Sequence, residues 1–345
     1  DCLKTRGPVA EMLVGRDLRA SSPEIAAAVI AAIAGSGVAA VDCGELPTPA
    51  LAYEALRRKA PAIMVTGSHI PADRNGLKFY TAGGEIDKAD EAGILAALVP
   101  DRGGEGQARA EPEALRRYRA RYAGLLPHGV LKGWRVGVWE HSSVARDLLI
   151  DVLDHYDAEV VALNRSQSFV PVDTEAVSAD TATELAGWVR SHQLDALVST
   201  DGDADRPLLV DETGALVRGD TIGILTARFV GADTVVTPVT SNSAIEGTGA
   251  FRRVIRTRVG SPYVIAGMGE GDGIVVGFEA NGGVLLGSDV TMNGSTLTAM
   301  PTRDALLPIL AVLGAARRAR QTLSQLVATL PPRVARADRL EHVPQ

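Results

Sequence analysis

Short apolar runs alternate along the chain with longer segments of helical period, and turn formers stand where one pattern gives way to the other. Met12-Leu13-Val14-Gly15 reads as a buried strand. After the polar turn that follows, Ser22-Pro23 is a helix start, with serine as N-cap and proline at the first helical position. The Ala/Ile-rich residues 24–36 continue that helix, and Gly35 and Gly37 end it. A second strand is predicted over 38–43 and a helix over 50–59. The run Ala62-Ile63-Met64-Val65 then reads as a third, buried strand. This βαβαβ pattern predicts parallel strands flanked by helices.

The pattern restarts twice. Asp101-Arg102-Gly103-Gly104-Glu105-Gly106 reads as a flexible connection, followed by a charged helix over 111–126. A strand over 134–139, a turn at 140–143 and a helix over 144–155 come next. A strand over 159–163, a helix over 181–192 and a strand over 196–200 complete that set. The third start is a strand over 234–239, a turn at 240–243 and a helix over 244–251. Three times an apolar strand meets a Ser-containing turn that opens a helix, a loose internal repeat of one α/β unit. Such helix starts can hold phosphate, although capping alone is the better reading for most of these serines.

At 345 residues the chain is too long for one comfortable core and suggests two or three domains. A hydrophobic content of 46% is that of a globular protein. The net charge of -7 argues against nucleic acid as the main partner, while leaving room for a local cationic site. Cys2 and Cys43 are too few for a disulfide framework or a zinc site. The late apolar run 305–313 is too short to span a bilayer and contains Pro308. No signal peptide is visible, so a cytoplasmic protein without a membrane partner is expected.

The chemistry concentrates in loops. The third strand leads into Thr66-Gly67-Ser68-His69-Ile70-Pro71, Asn75-Gly76 forces a second reversal, and Lys78 stands ten residues after the serine. A loop serine with a base and a cation nearby can carry a phosphoryl or acyl group. Taken alone, a solvated or capping Ser-His pair is the commoner case. Asp201-Gly202-Asp203-Ala204-Asp205-Arg206 follows the strand over 196–200. Its alternating carboxylates can converge on one hard cation, magnesium by preference, because that ion keeps few protein ligands and takes a phosphate oxygen. An EF-hand is the competing reading, since Glu212 is twelfth from Asp201, but Arg206 stands where the sixth-position glycine is required. An acidic surface turn is the bland one. The two loops explain each other, since a phosphorylated serine needs a metal and cations around it. Gly277-Phe278-Glu279-Ala280-Asn281-Gly282-Gly283, after a strand over 273–276, offers a carboxylate and an amide to adjacent sugar hydroxyls. Glu279 could equally cap a turn. The cationic turn Arg256-Thr257-Arg258-Val259-Gly260-Ser261-Pro262-Tyr263 could line the same cleft.

In this order, these motifs resemble those of the α-D-phosphohexomutase family over nearly the whole chain. Gly15-Arg16-Asp17-Leu18-Arg19-Ala20-Ser21-Ser22-Pro23 also resembles that family's early segment, and Glu279-Ala280-Asn281-Gly282-Gly283 resembles the bacterial phosphomannomutase form. The resemblance implies related α/β domains with mixed or parallel sheets around a central cleft. They are expected as a phosphoserine-loop domain (1–120), a metal-loop domain (121–217) and a sugar-recognition domain (218–328). Residues 329–345 would be a stub leading to a fourth domain largely absent from this chain. It implies Ser68 as the phosphoserine, with Asp201, Asp203 and Asp205 binding one magnesium ion together with the seryl phosphate. His69, Lys78 and Arg206 would support proton and phosphoryl transfer, Glu279 and Asn281 would bind sugar hydroxyls, and Arg16, Thr257 and Gly260 would border the cleft. The implied activity interconverts hexose 6-phosphate and hexose 1-phosphate, with mannose the expected hexose and a hexose 1,6-bisphosphate as intermediate and activator. Phosphoglucomutase, phosphoglucosamine mutase, a phosphatase and a non-catalytic sugar-phosphate-binding protein are the alternatives. Monomer and homodimer are both compatible. Ile70, Ala204 and Asn281 depart from the family's usual Asn, Gly and Ser, and only Lys4-Thr5-Arg6-Gly7 stands for its early Ser/Arg/Gly segment.

Overall fold

The computed structural model describes residues 9–97, 107–335 and 337. Cys2, residues 4–7, the connection at 101–106 and positions 336 and 338–345 of the expected stub lie outside these residues.

Three mixed sheets carry the same strand order. In the first, Glu11–Arg16 lies between Ala39–Glu45 and Ala62–Val65, both parallel to it, and Leu77–Thr81 runs antiparallel beside Ala62–Val65. In the second, Arg135–His141 lies between the parallel strands Glu159–Arg165 and Ala196–Thr200, with Pro207–Asp211 antiparallel beside the latter. In the third, Thr234–Pro238 lies between the parallel strands Arg253–Thr257 and Val275–Phe278, with Val284–Leu286 antiparallel beside the latter. The edge strand Met300–Asp304 pairs with Val284–Leu286. The loose repeat read from the sequence is therefore a repeated topology. Its fourth, antiparallel strand was not predicted, because the turn residues before it break the hydrophobic period.

The consequence for function is geometric. In each unit the hairpin from third to fourth strand begins at the carboxyl end of a parallel strand, where open α/β sheets place their ligand-binding crevices. Those three hairpins hold Ser68, the aspartates 201, 203 and 205, and Glu279 with Asn281.

Several predicted boundaries shift, each for a local reason. Ser22 is the first residue of helix Ser22–Gly35 rather than its cap, and its buried hydroxyl donates to Asp17 at 2.5 Å. The charged helix is confined to Glu113–Arg121, and the chain beyond it continues in turns. Glu140 and His141 extend strand Arg135–His141 by pairing with Glu159–Arg165, so they do not form a turn. The helix over 244–251 stops after Ala244–Gly247, before Gly249 at φ +60. Gly277 and Phe278 belong to strand Val275–Phe278, because Gly277 packs tightly on Val264 and Met268.

A continuous apolar core runs through all three units, with Leu13, Val138, Leu209, Val235 and Val276 fully buried. The late apolar run forms helix Leu306–Ala319, which packs on Gly219–Val230. Among the described residues no helix is long and apolar enough to cross a membrane.

Candidate active site

The serine loop is shaped by a cation that the sequence reading passed over. Arg19 is buried, and its Nη2 donates to the carbonyls of Ser68 (2.9 Å) and Ile70 (2.8 Å). Its Nη1 donates to those of Pro71 (2.7 Å) and Arg74 (2.9 Å). Asp17 anchors the guanidinium through Nε at 3.1 Å and accepts from Thr66, whose hydroxyl in turn accepts the Ser68 amide. This frame holds Ser68 at φ +50, a left-handed conformation costly for any residue but glycine. A side chain at Gly67 would collide with Arg19, its Cβ falling 2.8 Å from Cζ. Arg16, the arginine nominated from the sequence, pairs instead with Asp42 and Glu45 and bonds to none of the other nominated residues.

The loops of the first two units interlock. Ser68 Oγ donates to Asp201 Oδ2 at 2.5 Å. His69 Nδ1 lies 3.4 Å from the same hydroxyl. Burial, reinforced by the Arg206 charge, lowers the His69 pKa from its ordinary value and keeps the ring neutral near pH 7. Lys78 Nζ bridges Asp203 Oδ2 (2.6 Å) and Asp205 Oδ2 (2.7 Å), and the Thr48 hydroxyl donates to Asp203 Oδ2 at 2.5 Å. Arg206 gives its amide to Asp201 Oδ1 at 3.1 Å, while its guanidinium Nε stands 3.7 Å from Asp205 Oδ1. Arg19 stacks 3.9 Å from the Phe169 ring centroid, and that ring closes over Gly202, whose Cβ would lie 2.6 Å from it.

The three buried aspartates offer oxygens within 4.8 Å of one another, an arrangement that could coordinate a divalent metal. The fit has a specific sign. Lys78 and its neighbours occupy the Oδ2 atoms of Asp203 and Asp205, while both Oδ1 atoms are buried without a hydrogen-bond partner. Unpaired buried carboxylate oxygens are costly unless a cation meets them. Burial, then the charges of Asp203 and Asp205, raise the Asp201 pKa. Burial opposes ionisation of Asp205 as well, but Arg303, Lys78 and Arg206 outweigh it and hold that carboxyl below its usual range. Ala204 sits between them at φ +60, the conformation that explains a glycine at this turn.

The third unit joins through another residue the sequence did not reveal. Arg303 donates from Nη1 to Glu279 Oε2 (2.9 Å) and from Nε to Asp205 Oδ2 (3.1 Å), and its Nη2 stands 2.9 Å from that same Oδ2 in an ion pair. In the primary sequence it is one charge in an edge strand, with no motif spacing to connect it to either loop. Asn281 lies in the same turn as Glu279. Its side chain accepts the Gly283 amide at 3.0 Å, and its carbonyl accepts from Thr174 at 2.9 Å. Thr257 ends strand Arg253–Thr257, its hydroxyl donating to the Arg258 carbonyl, and Gly260 turns at φ +122. Neither bonds to the aspartate cluster. Ser68, His69, Lys78, the three aspartates, Arg206 and Glu279 thus form one connected group, which Arg16, Thr257 and Gly260 do not join.

Three α/β/α units pooling equivalent hairpins at one inter-unit cluster define the class of this protein. Models of the phosphoglucomutase/phosphomannomutase α/β/α domains I, II and III match residues 1–100, 128–214 and 218–334 respectively. The chain belongs to the phosphoglucomutase/phosphomannomutase family. It is 50% identical to a phosphomannomutase of Sinorhizobium fredii, over 98% of this chain and 73% of that protein. It is 46% identical to a phosphomannomutase of Salmonella muenchen, over 95% of this chain and 69% of that protein. A crystal structure of a phosphoglucomutase/phosphomannomutase family protein from Burkholderia thailandensis shares the fold, with a TM-score of 0.80. At 22% identity, that match covers 96% of this chain and 73% of the other.

Proposed function

We propose that this protein is a phosphohexomutase that interconverts hexose 6-phosphate and hexose 1-phosphate, with mannose as the preferred hexose. The single observation that carries the reading is the hydrogen bond from Ser68 Oγ to Asp201, inside a cluster that also contains Lys78, Arg206 and two further aspartates. The preference for mannose is supported by the two relatives of about half identity, both named phosphomannomutase.

In this reading Ser68 carries the phosphoryl group. The free hydroxyl of the hexose monophosphate forms a bond to phosphorus as the bond to Ser68 Oγ breaks. Neutral His69 takes the hydroxyl proton and passes it to the departing serine oxygen, so each half-reaction is balanced. Lys78 and Arg206 offset the charge spread over the phosphoryl oxygens. The resulting hexose 1,6-bisphosphate reorients, and its other phosphate returns to Ser68 by the reverse step. Glu279 and Asn281 bind ring hydroxyls, and Arg16, Thr257 and Gly260 are assigned to the border of the cleft. Asp201, Asp203 and Asp205, with the seryl phosphate, would hold magnesium, which when bound neutralises charge on the transferring group. A hexose 1,6-bisphosphate primes Ser68. We place the protein in the cytoplasm, as a monomer or homodimer acting on a small sugar phosphate.

The test is Ser68→Ala in the full-length protein, primed with hexose 1,6-bisphosphate and assayed for both isomer and inorganic phosphate. Isomer formation is expected to fall to background. Undiminished isomerisation would overturn the mechanism, and phosphate release exceeding isomer formation in the unaltered protein would make it a phosphatase.

A further inference from the structure

Strand Met300–Asp304 closes the edge of the third sheet, yet consecutive side chains on it bond to different parts of the molecule. Thr302 donates to Glu85 of the first unit at 2.8 Å. Asp304 accepts from Tyr118 at 2.6 Å and also from Tyr122, on and just after helix Glu113–Arg121. Pleating sends the residue between them to the opposite face, where Arg303 lies between the aspartate loop of the second unit and the Glu279 loop of the third.

We infer that Arg303 is a positioning residue that makes cation binding at the aspartate loop and sugar binding at Glu279 mutually dependent, an inference that rests on the function proposed above. The guanidinium is a rigid planar fork. Two of its nitrogens converge on Asp205 Oδ2 and the third holds Glu279 Oε2. Neither carboxylate can turn without displacing the plane, and through it the other. The fork engages Oδ2 and leaves Oδ1 of Asp205, buried without a hydrogen bond and with Arg206 Nε 3.7 Å away, for a cation. With Oε2 of Glu279 likewise held, Oε1 is the oxygen left for a sugar hydroxyl. The loop is built around this side chain, since a Cβ at Gly283 would lie 2.7 Å from Arg303 Cδ. A cation that fixes Asp205 therefore fixes Glu279 in its sugar-binding orientation, and by linkage the sugar tightens the cation equally. Lysine carries the charge but has one nitrogen, which cannot reproduce a three-nitrogen span across two carboxylates.

The experiment titrates Mn2+, as a spectroscopic stand-in for the resident cation, into the full-length protein and follows free Mn2+ by electron paramagnetic resonance. It is repeated with saturating mannose 6-phosphate, and with inorganic phosphate to measure the effect of the phosphate group alone. In the unaltered protein the sugar phosphate is expected to tighten Mn2+ about fivefold or more beyond inorganic phosphate. In Arg303→Lys that factor falls to about one while both ligands still bind. Gly283→Ala, whose added methyl would press on Arg303 Cδ while every charged side chain of the site is kept, gives the same loss and keeps the test valid if the arginine variant does not fold. A factor in the folded variants within about twofold of the unaltered protein's, or no coupling in the unaltered protein, would overturn the inference. Failure of the unaltered protein to bind the sugar phosphate at all would instead strike the functional reading beneath it.

Discussion

Ser68 reaches Asp201 only because its backbone is held in a left-handed turn, and the group that holds it is Arg19. That arginine has no contact with water, and its acceptors are Asp17 and four loop carbonyls. Replacing it by methionine leaves Asp17 as an uncompensated buried charge and the carbonyls unpaired, a loss of about 3–5 kcal/mol. Urea unfolding of Arg19→Met checks that figure, and a change below about 1 kcal/mol would remove the frame from the account. The sequence displayed Ser68, His69, Lys78 and the aspartates because each stands in a dense local motif. It pointed to Arg16 and gave no sign of Arg19. Arg16 ends strand Glu11–Arg16 and Arg19 follows it, and which of them meets the serine loop depends on which side of the sheet end that loop crosses. Arg303 was hidden for the same reason, since its partners Asp205 and Glu279 lie 98 and 24 residues away.

At the level of elements, the hairpins after the third strands decide the chemistry, and their tightness is set by glycine. Gly202→Ala would drive a methyl into the Phe169 ring and so separate the aspartate loop from the serine loop. Isothermal titration is expected to show Mn2+ affinity reduced about tenfold or more in this variant, the effect of displacing one ligand by a few tenths of an ångström. A second element-level prediction concerns Glu54 on helix Thr48–Arg58, fully buried and bonded by Arg57, Arg58 and Arg117. Burial works against its charge, but the arginines outweigh it and bring its pKa from 4.5 to about 2. A carboxyl lowered on folding contributes stability that is fully present above pH 4.5 and is lost as pH falls towards 2. Glu54→Gln should therefore cost roughly 3 kcal/mol at pH 7, and the gap to the unaltered protein should narrow at pH 3. A gap independent of pH would contradict the assignment. The parallel strands and their helices were legible from apolar runs and breakers. The antiparallel fourth strands were not, because each follows directly on a turn that breaks the apolar pattern, as Leu77–Thr81 does after Asn75-Gly76 and Val284–Leu286 after Gly282-Gly283.

For the whole molecule, one α/β topology used three times brings equivalent hairpins to a common cluster, and the family match extends across all three units. The units are joined through the core as well as through the site, so a cation at the aspartates acts on overall stability. A ligand bound only by the folded state raises the midpoint of unfolding. Chelation should lower Tm and millimolar Mg2+ should restore it, whereas Asp203→Asn should make Tm insensitive to both, as read by calorimetry. The internal repeat foreshadowed this assembly, but which loops would face one another depends on packing between units, and no local pattern encodes that. Transfer through Ser68 between two positions of one sugar can be followed by phosphorus-31 NMR. Mannose 6-phosphate would be followed with Mg2+ and a trace of hexose 1,6-bisphosphate. A growing hexose 1-phosphate resonance with little inorganic phosphate is expected, and no conversion by Ser68→Ala. Inorganic phosphate as the sole product, or equal conversion by the alanine variant, would contradict it.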